Sequence, residues 1–239
     1  MRISVIGCGR WGSFIAWYLN GIGKDVRLYG RENSEHIKVL MASNRNEYIE
    51  FPEGFKFTTN LEDTLKSDII IISISSQNLR ELMNTIKTYG LKNKIYVLCM
   101  KGIEIDTGLR LSQVVSEYID IESKTALWIG PGHVQEFYRG VPNCMVIDSE
   151  DTEIKHKLVE EFSGNLIRFH LARLQGQKAF RVVLEGHDFR LGIAQFFQGC
   201  GHGLLSVAAL GNGDALADKI LQFPVLAFFG QDKIGRAHV

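Results

Sequence analysis

The sequence predicts an α/β fold, an open and mostly parallel sheet wound on both faces by helices. Three observations predict it. The β-branched run at residues 3–6 leads straight into the glycine-rich turn Gly7-Cys8-Gly9-Arg10-Trp11-Gly12, and apolar residues at helical spacing follow at once. Short apolar runs then alternate with amphipathic segments as far as Phe162. The run Ile69-Ile70-Ile71-Ile72 shows no polar alternation, which suits a parallel strand covered on both faces.

The elements follow in order. Residues 3–6 read as a strand and 13–19 as a helix ended by Gly21 and Gly23, with 25–29 as the next strand, completing a βαβ unit. Residues 61–65 suggest a short helix and 69–74 the strongest strand of the chain. The spacing of Leu79, Leu82, Met83 and Ile86 predicts a helix over 76–88. A strand at 94–100, a helix at 109–119 and a strand at 125–129 come next, the last ending at Gly130-Pro131-Gly132. A further strand is expected at 145–147 and a charged amphipathic helix at 153–162. Residues 34–60 receive no element. Beyond about His170 glycines crowd together, acids become scarce and no period is sustained, so residues 1–170 are read as one domain and 171–239 as an aberrant, disordered or non-native remnant.

With 239 residues, 45% of them hydrophobic and 23% charged, the chain has room for one large domain or two small ones. Its 27 basic and 27 acidic side chains cancel, so no net field favours nucleic acid or an anionic membrane. Cys8, Cys99, Cys144 and Cys200 show neither a paired nor a zinc-like spacing and are expected to be reduced thiols of a cytosolic protein. The apolar run after Arg2 is too short for a signal peptide, and no stretch approaches the roughly 20 apolar residues of a membrane span. A soluble, cytoplasmic protein is expected. Cys200, His187 and His202 lack standard ligand spacing and are not read as a metal site.

The chemistry concentrates where strands end. A G-x-G-x-x-G turn between a strand and a helix is a dinucleotide cradle of the Rossmann type. Gly7 permits the turn, Gly9 lets the backbone approach a pyrophosphate, Gly12 lets helix and strand pack, and the helix N-terminus favours anions. After the second strand, Arg31 is placed to pair with a 2′-phosphate, and Glu32 comes late for the usual ribose-binding acid. That order favours NADPH without excluding NADH. Ser76 and Gln77 follow the isoleucine strand, where they would line the cofactor or cap the next helix. Lys101 ends another strand as a cation suited to a phosphate or carbonyl oxygen. The stretch Gly130-Pro131-Gly132-His133-Val134-Gln135-Glu136 ends a third, and a lone loop histidine such as His133 is more often polar than catalytic.

Taken in order, these motifs resemble bacterial-type NAD(P)-dependent glycerol-3-phosphate dehydrogenase over residues 1–169. The family's G-x-G-x-W-G stands at Gly7 to Gly12, its S-Q at Ser76-Gln77 and its K-G-[IL]-E at Lys101 to Glu104. Its T-G-x-x-x-S matches Thr107, Gly108 and Ser112, its G-P-S-F-A-x-E box matches Gly130 to Glu136, and its G-x-P matches Gly140-Val141-Pro142. Gly132 and His133 depart from the family's serine and phenylalanine. The resemblance implies that Arg10, Trp11, Arg31 and Val134 lie along NADPH or NADH, that Lys101 touches cofactor and substrate, and that Gly130 and Gly132 position the substrate. It implies reduction of dihydroxyacetone phosphate to sn-glycerol 3-phosphate for phospholipid synthesis.

The family's catalytic lysine, in a K-N pair of an all-helical C-terminal domain, has no match here, nor has its S-R-N-like phosphate grip. Beyond His170 the lysines are Lys178, Lys219 and Lys233, none followed by asparagine, and the only asparagine is Asn212. The closing residues 234–239 look like translated adapter sequence, and the reading frame is expected to leave its native course near His170. The alternatives to a dehydrogenase of this family are a dinucleotide-binding module without turnover, or a related enzyme such as a ketopantoate reductase. Oligomeric state is not legible.

Overall fold

The strands are β1 (Arg2–Ile6), β2 (Asp25–Tyr29), β3 (Lys56–Thr58), β4 (Ile69–Ile72), β5 (Ile95–Leu98), β6 (Lys124–Ile129), β7 (Asn143–Ser149) and β8 (Ile167–Leu171). They come from a computed structural model that describes residues 1–130 and 133–171. Among these residues they form one sheet in the order β3-β2-β1-β4-β5-β6-β7-β8. β1 to β6 are parallel, β7 is antiparallel to β6, and β8 is parallel to β7. The strand order reverses between β1 and β4, so the two halves of the sheet diverge there. In such sheets ligands bind beyond the carboxyl ends of the strands at that point.

The helices are α1 (Arg10–Gly21), α2 (Glu35–Ser43), α3 (Leu61–Leu65), α4 (Leu79–Lys87), α5 (Leu111–Ser116), α6 (Val134–Tyr138) and α7 (Thr152–Phe162). All four isoleucines of β4 are at 0% exposure, flanked by β1 and β5, which is why no polar residue alternates with them. The one hydroxyl buried in β1 is satisfied: Ser4 Oγ donates to Thr64 O at 2.9 Å and lies 2.6 Å from Ser67 Oγ, tying β1 to α3.

A run of aromatic rings joins the two halves of the core. Phe14 of α1 stacks on Phe137 of α6, with centroids 4.9 Å apart, and Tyr18 meets Trp128 edge-on at 6.3 Å. Trp128 continues the run to Phe162 and Phe169. The Tyr18 hydroxyl donates to Phe162 O at 2.7 Å, anchoring α1 to the end of α7. At the foot of α7, Asp148 is fully buried and accepts from Lys155 Nζ at 3.1 Å. Burial outweighs that ion pair and pushes the Asp148 carboxyl above its ordinary pKa.

Where the sequence reading and the structure differ, the reasons are local. Residues 34–60 hold α2 and β3. α2 buries only Ile37 and Leu40 while exposing Val39 and Met41, which blurs its period, and β3 is a three-residue edge strand. The helix expected over 76–88 begins as a 3₁₀ turn, Ser76–Asn78, before α4 starts at Leu79. The helix expected at 109–119 is confined to α5, and the strand at 145–147 extends over all of β7. β8 was not expected; it lies where the periodicity fades, and among the described residues its strand partner is β7. The expectation of an irregular remnant over 171–239 lies outside the described residues, apart from Leu171, which ends β8. Among the described residues no helix is long and apolar enough to cross a membrane.

A Cβ on Gly12 would lie 1.9 Å from Gly7 O. Gly12→Ala is therefore expected to cost about 3 kcal/mol of stability, because the obstacle is backbone that cannot rotate away. Urea unfolding measures it, and an unchanged midpoint would mean that α1 can withdraw from β1 freely.

Candidate dinucleotide site

Because β1, β2, β4, β5 and β6 run parallel, the segments after them emerge along one edge of the sheet. Gly7 leaves β1 with φ +113°, its N–H donating to Tyr29 O at 3.0 Å. A Cβ there would meet Ser73 O at 2.1 Å, so Gly7 is pressed against the backbone leaving β4. Gly9 is the N-cap of α1 and has no side-chain cap. The N–H groups of the first turn of this twelve-residue helix have no intrahelical acceptor, and the turn follows directly on the carboxyl end of β1. Such a terminus is suited to an anion.

Around it the expected residues take distinct positions. Arg10 is exposed, its guanidinium 4.5 Å from the centroid of the Tyr48 ring. Trp11 is partly buried, packed on Phe14 at 5.1 Å and on Phe137 at 6.4 Å. Arg31 is exposed just past β2, where Gly30 packs so closely that a Cβ would lie 2.5 Å from Cys8 Sγ. Ser76 stands half-buried after β4, and a Cβ on Gly102 would lie 3.6 Å from its hydroxyl. Gln77 turns its amide to a neighbouring loop: Nε2 donates to Ile103 O at 2.9 Å and Oε1 accepts from Ile105 N at 3.0 Å.

Lys101 follows β5 on the same edge. Its side chain reaches solvent, yet the protein around the ammonium desolvates it enough to lower its pKa below the ordinary lysine value. Three residues on, Glu104 is 7% exposed. Its carboxylate takes a fork from Arg80, Nε at 2.7 Å and Nη2 at 2.8 Å, and a further hydrogen bond from the Thr107 hydroxyl. The Arg80 contact first, and Thr107 with it, holds this carboxyl down at about 2.

Gly130 follows β6, where a Cβ would lie 3.0 Å from Met145 Cα. His133 is the N-cap of α6, and the Val134 side chain is buried in the core at 3% exposure. Gly132 lies outside the described residues, as do the residues considered for a metal, Cys200, His187 and His202. A shallow groove lined by Met1, Asp68, Asn93, Lys124 and Asp151 opens at the amino ends of the strands, away from this constellation. Tyr48 and Arg80 escaped the sequence reading. Tyr48 sits in the stretch that received no element, and nothing local marks Arg80 as the partner of a carboxylate 24 positions away.

An open parallel sheet with a glycine turn feeding an uncapped helix at its switch point defines a dinucleotide-binding protein of the Rossmann class. The model of a family described as the N-terminus of NAD-dependent glycerol-3-phosphate dehydrogenase matches residues 2–155, and the chain belongs to that family. Similar curated proteins carry the name glycerol-3-phosphate dehydrogenase, NAD(P)+. That of Thermoanaerobacter sp. (strain X514) is 29% identical over 174 residues, covering 72% of this chain and 52% of its own. That of Pelodictyon phaeoclathratiforme is 33% identical over 178 residues, covering 72% and 53%. The chain thus spans about half the length of the curated relatives it matches.

Among solved structures, glycerol-3-phosphate dehydrogenase from Coxiella burnetii shares the fold with a TM-score of 0.68 at 19% identity, over 97% of this chain and 76% of that one. A ketopantoate reductase from Ralstonia eutropha JMP134 shares it at 0.56 and 13% identity, over 72% and 57%. Likeness at these identities concerns the fold alone.

The lowered Glu104 pKa has a definite sign. A carboxyl near 4.5 when unfolded and about 2 when folded adds stability above pH 4.5 that fades as pH falls through about 2. Glu104→Gln is expected to unfold at a lower temperature than the parent at pH 7, with the gap closing between pH 4.5 and 2. A gap that stayed constant across that range would show that the ionised carboxylate is not what stabilises the loop.

Proposed function

We propose that residues 1–170 form the cofactor domain of a glycerol-3-phosphate dehydrogenase, binding NADPH or NADH across the carboxyl ends of β1, β2, β4 and β5. The observation that carries this is the uncapped first turn of α1 at the reversal of strand order, with Arg31 and Lys101 after the neighbouring strands. This donor set fits a dinucleotide: first-turn N–H groups for the pyrophosphate oxygens, with Gly7, Gly9 and Gly12 allowing the approach, and Arg31 for the adenosine ribose and its 2′-phosphate. Arg10, Trp11, Ser76 and the backbone of Val134 complete the cofactor surface, and Gln77 borders it. Lys101, Gly130 and Gly132 would hold the substrate.

The reaction proposed for the whole protein is reversible reduction of dihydroxyacetone phosphate to sn-glycerol 3-phosphate, a precursor of phospholipids. The bound nicotinamide supplies the hydride. The chain's own part is to orient the cofactor and to set the Lys101 ammonium against the negative charge of substrate or cofactor. Turnover also requires a group that protonates the product oxygen. The family's K-N pair is absent from residues 171–239, read as a remnant of the catalytic domain, so this chain is proposed to bind without turning over.

NADPH fluorescence titration tests the binding. Saturable binding is expected, with no oxidation of NADPH on adding dihydroxyacetone phosphate. Charge-assisted hydrogen bonds are worth about 1.5–3 kcal/mol, so Arg31→Asp is expected to raise the NADPH Kd about tenfold or more and to change the NADH Kd little. No binding of either dinucleotide would overturn the proposal, and turnover would overturn the claim about the missing lysine.

A further inference from the structure

We infer that Gln77 and Glu104 are positioning residues that hold the loop of residues 101–105, and with it Lys101, at the carboxyl end of β5. The inference rests on the role given to Lys101 above and assigns Gln77 to holding the loop instead of touching the cofactor.

Three consecutive residues of the loop are tied to the β4–α4 connection and the first turn of α4. The Gln77 amide donates to Ile103 O at 2.9 Å and accepts from Ile105 N at 3.0 Å, so one side chain serves the loop as a strand partner would. Because a carbonyl only accepts and an N–H only donates, these two bonds fix the direction of the amide, whose Nε2 also donates to Ser76 Oγ at 3.0 Å. Between those two residues Glu104 is gripped by Arg80, one helical turn beyond Gln77. Arg80 is itself held by Glu117 at 2.5 Å and by the Tyr118 hydroxyl at 3.0 Å, so the fork is braced from the residues just after α5.

Apolar packing does not do this work. Ile103 is 40% exposed and Ile105 is 59% exposed, so the loop is fastened by polar bonds. Gly102, at φ +104°, turns the chain sharply between Lys101 and the first of these bonds. Lys101 therefore sits on a short tether between β5 and a clamped segment. The protein around that short tether desolvates the ammonium in part and lowers its pKa, although the side chain reaches solvent.

The test labels lysines with an acylating reagent across a pH series and reads Lys101 by peptide mass spectrometry, in the parent, Gln77→Ala and Arg80→Lys. Gln77 is exposed, so its variant is expected to fold, with a thermal midpoint lowered by no more than its two hydrogen bonds to the loop allow. In both variants the labelling midpoint of Lys101 is expected to rise toward the ordinary lysine value while other lysines stay unchanged, and the NADPH Kd to rise about tenfold. A shifted midpoint with an unchanged Kd would uphold the positioning and count against the role of Lys101 in binding, because the labelling needs no dinucleotide. An unchanged Lys101 midpoint in both variants would overturn the inference.

Discussion

The approach of backbone to backbone at the head of α1 is the constraint on which the rest depends. Gly12 sits where a Cβ would strike Gly7 O, and Gly7 where a Cβ would strike Ser73 O, so β1, α1 and the chain leaving β4 share a space with no room for side chains. Only this packing brings the first turn of α1 directly over the reversal of strand order. The same glycines that are proposed to serve a dinucleotide site are thus fixed first by packing, before any ligand is considered.

From that point the core braces the site outward. Phe14, one turn into α1, stacks on Phe137 of α6, and Tyr18 reaches the end of α7 through its hydroxyl. Trp11 is therefore a member of this aromatic run as well as a neighbour of the helix terminus. A side chain that packs on two buried rings has its position set by the core, which makes it a rigid wall for whatever lies beyond it.

The remaining parts of the edge are placed by different physics. Behind the turn, apolar burial and backbone contact dominate. On the far side, the loop after β5 leaves its isoleucines in solvent and is fastened by the Gln77 amide and by the Arg80–Glu104 pair. Polar fastening is directional, so it sets the course of a loop more narrowly than exposed apolar contact can. The loss of the ionised Glu104 carboxylate at low pH marks the acid limit of that fastening.

The architecture was legible because its signals are local. Four isoleucines in a row, the spacing of Leu79, Met83 and Ile86, and the glycines after β1 each declare an element within a few residues, and their alternation implies a parallel sheet. The strand ends carrying Gly7, Arg31, Ser76, Lys101 and Gly130 could accordingly be placed on one edge from the sequence. By itself, then, the sequence determined the parallel core of the sheet from β1 to β6 apart from β3, its winding, the edge on which the candidate site lies and the family resemblance. Tertiary structure alone decided the antiparallel turn of β7 and the pairing of β8, which depend on neighbouring strands. It also decided that Tyr48 underlies Arg10, that Val134 turns into the core, and that Gln77 and Arg80 grip the loop of Lys101. Those contacts join residues 24 to 38 positions apart through directional bonds and ring faces, which no local pattern encodes.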